Sequence, residues 1–341
     1  MLVRGAPADI VAITEPGPPV RAVRTGGATD ARSARRRQHR AMTTRSTAAL
    51  LRHHVRGLEH LTAGSPHGRV FRAGSLAFAD SGIDVGAFNA VTVTGAAWSA
   101  RDLDRAAGIA AAGGRPWSVT VQRGGSTTRD AARLHAVERV AAAHGLTERD
   151  EDPFLVCLPA SFRPAGPAGG HDAGEPSVET VTARAWADYT GAVADGFGMA
   201  AAAFGTVFGG DLLDDPLVTG YLVRSAGRVV GSGLGVVAGD AVGVHNIAVV
   251  PDRRGRGFGR AVSERVVRDG FAGGATAAFL VSSTEGLPLY RSLGFRQVDT
   301  LVRWSTPAPA PAPASVLAQA APLAAREDRA VSTGPRRGGT A

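Results

Sequence analysis

Apolar positions gather in two stretches of the chain, roughly 46–160 and 177–305, and within each their spacing alternates between strand and helix periods. In the second stretch, β-branched and aromatic residues crowd 221–223, 228–237 and 241–250, separated by Ser225-Ala226-Gly227 and Gly239-Asp240, which predicts a three-stranded meander. Residues 259–269 set Val262 and Val266 on one face and Glu264 and Arg268 four apart on another, the period of an amphipathic helix. A strand at 277–281 follows, then a short helix from about 285 to 293 stopped by Gly294, then a strand at 296–304. The first stretch gives a strand at 91–93, a helix at 100–112, a strand at 117–121, a helix at 128–144 and a strand at 154–158. Phe197, Phe204 and Phe208 fall at helical spacing and read as core.

The remainder reads as linker and tail. Residues 1–45 are Pro-, Gly- and Arg-rich without sustained periodicity and predict a disordered arm, with Met42 an alternative start. Residues 161–176 form a Pro/Gly linker between the two stretches, and 306–341 open on a Pro-Ala repeat that predicts a disordered tail. With 44% hydrophobic and 20% charged residues, the chain is neither wholly disordered nor collagen-like. All 38 basic residues are arginine, but the first 45 residues carry +6 and the last 36 carry +2, so the tails hold the whole formal charge of +8. The folded stretches therefore lack the basic footprint of a nucleic-acid binder. No apolar run reaches the length of a membrane helix and no secretory signal is visible, which places the chain in the cytoplasm without nucleic-acid or membrane partners.

The sole cysteine, Cys157, lies in an apolar strand and reads as a buried small hydrophobe. His53, His54, His60 and His67 lack metal-site spacing and read as solvated helix residues, so no metal is expected. Trp98, Trp117, Trp186 and Trp304 read as packing residues.

The stretch that carries chemistry runs from Asn246 to Arg260, where an apolar strand enters a glycine-rich turn that opens a helix. The first turn of a helix presents unpaired N–H groups and the positive end of the dipole, and so binds phosphate oxygens. Gly255, Gly257 and Gly259 let the backbone approach a ligand, and the nearby arginines add charge. A Walker loop is excluded because the chain has no lysine, and a dinucleotide fingerprint fails at Arg260 and, in the Gly231–Gly235 run, at Val236.

Arg254-Gly255-Arg256-Gly257-Phe258-Gly259 resembles the R/QxxGxG/A signature of GCN5-related N-acetyltransferases. It follows an Ala-Val-x-Pro strand end, and about 30 residues later Leu289-Tyr290-Arg291-Ser292-Leu293-Gly294-Phe295 is similar to the family's LYxxLGF segment. The resemblance implies an α/β fold with a mixed, mostly antiparallel central sheet flanked by helices, the acyl-CoA N-acyltransferase fold. Residues 177–305 would be the catalytic domain and 46–160 a degenerate copy of it, in tandem. It implies acetyl-CoA as co-substrate, with Ile247, Ala248 and Val249 pairing the pantetheine through backbone groups. The Val249 N–H would polarise the thioester carbonyl. Arg254, Gly255, Arg256, Gly257, Phe258 and Gly259 would cradle the pyrophosphate, and Ser283 stands where many relatives place a cofactor-contacting Asn. Tyr290 would protonate the leaving thiolate. An amine acceptor, small molecule or peptide, would attack directly in a ternary complex. The general base stays open, with His245, Glu285 and a water chain as candidates. A non-catalytic acyl-CoA-binding module is the alternative, and the chain is expected to be a monomer or homodimer.

Overall fold

The computed structural model describes residues 44–125, 127–165, 176–198 and 210–307. The expected arm and tail lie almost wholly outside the described residues, as do most of the linker, Phe204 and Phe208. The first half contains α1 (Thr44–Ala63), β1 (Arg69–Ala73), β2 (Leu76–Asp80), β3 (Asn89–Val93), α2 (Ala100–Ala112), β4 (Ser118–Gln122), α3 (Thr128–Ala143) and β5 (Glu148–Cys157). The second contains β6 (Ser177–Val181), α4 (Trp186–Phe197), β7 (Val218–Ser225), β8 (Arg228–Ala238), β9 (Ala241–Val249), α5 (Phe258–Ala272), β10 (Ala277–Val281), α6 (Leu287–Ser292) and β11 (Arg296–Ser305).

These strands form one 11-stranded sheet in the order β1-β2-β3-β4-β11-β5-β10-β9-β8-β7-β6. Pairing is antiparallel except between β3 and β4 and between β9 and β10. The same run recurs in each half: β3-α2-β4-α3-β5 matches β9-α5-β10-α6-β11, as the tandem reading expects. The last strands are exchanged, because β5 lies beside β10 and β11 beside β4, with β5 and β11 paired at the centre. Phe154, Leu155 and Cys157 of β5 are wholly buried there, so each half completes its core with a strand from the other.

β5 begins earlier than its apolar run suggests. Glu148–Asp152 extend as strand because they pair with β11, where Arg303 meets Asp150 at 3.0 Å and Asp152 at 3.2 Å. α2, α3 and α5 cover one face of the sheet, and α1 and α4 cover the other. α5 lies close over β8, and a side chain at Gly233 would put its Cβ 2.6 Å from Val262 Cγ2. The glycine run in β8 thus serves helix-on-sheet packing. Cys157 is buried as expected, its thiol pushed up to about 12 by burial. Phe197 departs from the core expectation: it ends α4 and is 49% exposed. Trp117 and Trp304 are buried, whereas Trp186 is 38% exposed.

Candidate active site

The site begins where β9 leaves β10. The two strands pair only at Ala241, Val242 and Gly243, and the rest of β9 runs on without β10 beside it. On its other side β9 stays paired with β8 through a bulge at Asn246 and Ile247, where Asn246 adopts a left-handed backbone (φ 51). Past the bulge the Val250 N–H donates to the Val230 carbonyl at 3.0 Å. Because backbone groups alternate sides along an antiparallel pair, Val249 and Ile247 turn theirs away from β8, into the gap.

The chain then turns through Pro251–Arg253 into the loop before α5. Gly255 (φ 74) and Gly257 (φ 84) both need the left-handed region, where a side chain is strained. Gly257 is the N-cap of α5 and has no side chain to offer the helix's first N–H groups, and no acid stands in the first turn. That end of α5 is therefore an uncapped donor cluster with its dipole unopposed. It sits against the strand end and α6, since a Cβ on Gly259 would lie 3.3 Å from Leu289 and 3.7 Å from Val249.

The loop arginines have different destinations. Arg254 turns inward, its Nε donating to the Val249 carbonyl at 3.2 Å and its Nη2 to the Gly196 carbonyl of α4 at 2.7 Å. Arg260 donates to Ser292 Oγ of α6 and to the Arg163 carbonyl, while Arg253 lies beside Asp252. Arg256 is exposed and has no ion-pair partner among the described residues. Phe258, the first residue of α5, buries its ring in the core, so its backbone N–H and not its ring lies at the open start of the helix. Ala248 is buried, packed close beneath Gly196 of α4.

Tyr290 lies on α6, its ring edge-on to Phe295 at 5.8 Å. Burial pushes its phenol up to about 12, only partly offset by a hydrogen bond with Ser263 of α5, so it stays protonated at neutral pH. Ser283 is exposed just past β10 and accepts the Gly286 N–H at 3.3 Å. Glu285 is exposed. His245 is not a surface residue: its ring lies over Gly243 against Phe279, with Nε2 buried and unbonded. His54 likewise corrects the expectation of a solvated helix residue, being buried on α1 and stacked on His245 at 5.9 Å. Burial lowers the imidazoles to about 3 for His54, where His245 adds to the effect, and about 4 for His245. His53 and His60 are bound to Asp240 and Asp215.

The first half repeats the elements and omits the site. β3 and β4 stay paired from Ala90 to Val93, so no gap opens. α2 is closed by its own capping box: Ser99 accepts the Asp102 N–H, and the Asp102 carboxylate accepts the Ser99 N–H. An acid in that first turn repels an anion. The S-x-x-D signal was present in the sequence.

A family model for the acetyltransferase (GNAT) domain matches residues 218–297. Among solved structures, a GCN5-related N-acetyltransferase from Kribbella flavida has a TM-score of 0.54 at 20% identity, over 77% of this chain and 96% of that one. A tandem GNAT protein from the clavulanic acid biosynthesis pathway has a TM-score of 0.45 at 15% identity, over 71% of this chain and 84% of the other. No curated protein sequence matches.

Proposed function

Since residues 218–297 form an acetyltransferase (GNAT) domain, we propose that the protein is an N-acetyltransferase that moves the acetyl group of acetyl-CoA onto an amine. The observation that carries this reading is the meeting of the unpaired edge of β9 with the uncapped start of α5. A ligand with a peptide-like arm and a pyrophosphate finds strand donors for the first and helix donors for the second. Ile247 and Val249 would pair the arm, and the Val249 N–H would stabilise charge on the thioester oxygen. The backbone from Gly255 to Gly259 would hold the pyrophosphate, with the Arg256 guanidinium beside it. Arg254 would act indirectly, holding the loop to the strand end and α4.

The amine attacks the acetyl carbon directly. Cys157 is buried and its thiol stays protonated, so it is unsuited to carry the acyl group. Tyr290, protonated at working pH, would deliver a proton to the departing sulfur. The first half, with its capped α2 and closed β3–β4 pair, would wall the acceptor side rather than bind a second cofactor.

A non-catalytic acyl-CoA-binding module draws on one observation, the packing of Tyr290 on Phe295 and its bond with Ser263. Initial-rate kinetics with acetyl-CoA and an amine panel separate the two. Intersecting double-reciprocal lines support direct transfer in a ternary complex, and parallel lines exclude it. Saturable acetyl-CoA binding with no turnover of any amine favours the binding module.

A further inference from the structure

Beneath α1 lies a cavity of about 80 Å³ whose walls come from both halves: Leu58 and Glu59 of α1, Ala79 of β2, Ala90 of β3, and His245 and Asn246 of β9. The last two residues immediately precede Ile247, where the β9 backbone first turns toward the gap, so the cavity reaches β9 just ahead of the proposed cofactor edge, on the face opposite α5. At ~10–15 Å³ per water-sized group, it holds about six such groups, the size of one ring.

Its charge is balanced. Glu59 is the one carboxylate among the lining residues, and it is buried and engaged by both Nε (2.7 Å) and Nη2 of Arg72. His245 and His54 are kept neutral by burial, and the neighbouring His53 and His60 are bound to Asp240 and Asp215 outside the cavity. An alkylammonium entering here would lose its water and meet no free anion, and a buried charge without a partner is strongly disfavoured.

Resting on the acetyltransferase reading, we propose that this cavity is the acceptor pocket and takes a small amine uncharged at neutral pH, an aromatic amine or a similarly weak base. Its nitrogen would lie toward His245. The nitrogen lone pair forms the C–N bond, the C–S bond breaks, and Tyr290 supplies the proton taken up by sulfur. The amine proton leaves through His245 to solvent. Once bonded to the acetyl carbon, a weakly basic nitrogen is acidic enough for an imidazole of low basicity to relieve it, whereas a free alkylammonium is not.

The test compares aniline with cyclohexylamine, similar in size, the first neutral and the second cationic at pH 7. We expect kcat/KM at pH 7 at least about tenfold higher for aniline. It should stay flat from pH 7 to 9 for aniline and rise about tenfold per pH unit for cyclohexylamine. Ala90→Leu, filling the pocket, should raise the aniline KM about tenfold or more and leave the acetyl-CoA thermal shift in place, with Ala79→Leu as the second variant if the first does not fold. A preference for cyclohexylamine at pH 7, an unchanged aniline KM in the filled variants, or no transfer to either amine by protein that binds acetyl-CoA would overturn the proposal alone. An absent acetyl-CoA shift would overturn the acetyltransferase reading, and this proposal with it.

Discussion

Arg254 and Arg256 stand two residues apart and are expected to fail differently. Arg254 ties the Val249 and Gly196 carbonyls together, and Arg254→Ala should cost about 1–3 kcal/mol of stability through those lost bonds, as well as weakening acetyl-CoA binding. Arg256→Ala should leave the melting temperature unchanged and raise the acetyl-CoA KM; equal melting losses in both variants would contradict the division. Tyr290→Phe should lower kcat about 100-fold with little change in acetyl-CoA affinity, and wild-type rates should show no loss from phenol ionisation up to pH 9, because its pKa is pushed to about 12. The glycines at 255 and 257 were legible from sequence because their positive φ is a local demand. The destination of Arg254 was not, since it depends on where α4 ends, 58 residues away. His54 could have been found: Leu50, Leu51, His54, Val55 and Leu58 share one helical face. Both buried imidazoles have pKa values below the unfolded 6.5, so the unfolded chain binds protons first. Their contribution is complete above about pH 6.5 and is lost as pH falls through about 4 toward 3. His54→Leu should flatten the fall in melting temperature between pH 6.5 and 4, and an unchanged slope would refute that assignment.

At the scale of elements, α5 and α2 are the same helix in two copies, one open at its N-terminus and one shut. Ser99→Ala removes the cap of α2 and should destabilise the protein by about 0.5–2 kcal/mol, with no change in acetyl-CoA affinity. A changed affinity would mean that the first half takes part in holding the cofactor. α5 and the β7–β8–β9 meander were readable because their apolar periods are long and their turns are marked by glycine. β1 and β6 are the two edge strands and neither has a fully buried residue, so no apolar period stands above the surrounding composition there. The bulge at Asn246–Ile247 left no trace either, because it is set by the pairing of β8 with β9.

Across the whole molecule, the exchange of β5 and β11 makes the two halves one cooperative unit, a consequence that no local pattern announces. A chain ending at Gly294 lacks β11, which lies between β4 and β5, and should lose folded structure in the first half as well as the second. Independent melting of an intact first half in that truncated chain would contradict the exchange. Beyond the two tails, no helix among the described residues is long and apolar enough to cross a membrane, and the candidate chemistry is confined to one end of β9. The most direct measurement is the melting temperature of the wild type and of Gly257→Asp with and without acetyl-CoA. The substitution places a strained residue and a negative charge at the open end of α5. Acetyl-CoA at one hundred times its Kd should stabilise the wild type by about 2.7 kcal/mol and leave the variant's melting point where it was. A wild type indifferent to millimolar acetyl-CoA, or a variant stabilised as much as the wild type, would contradict the site.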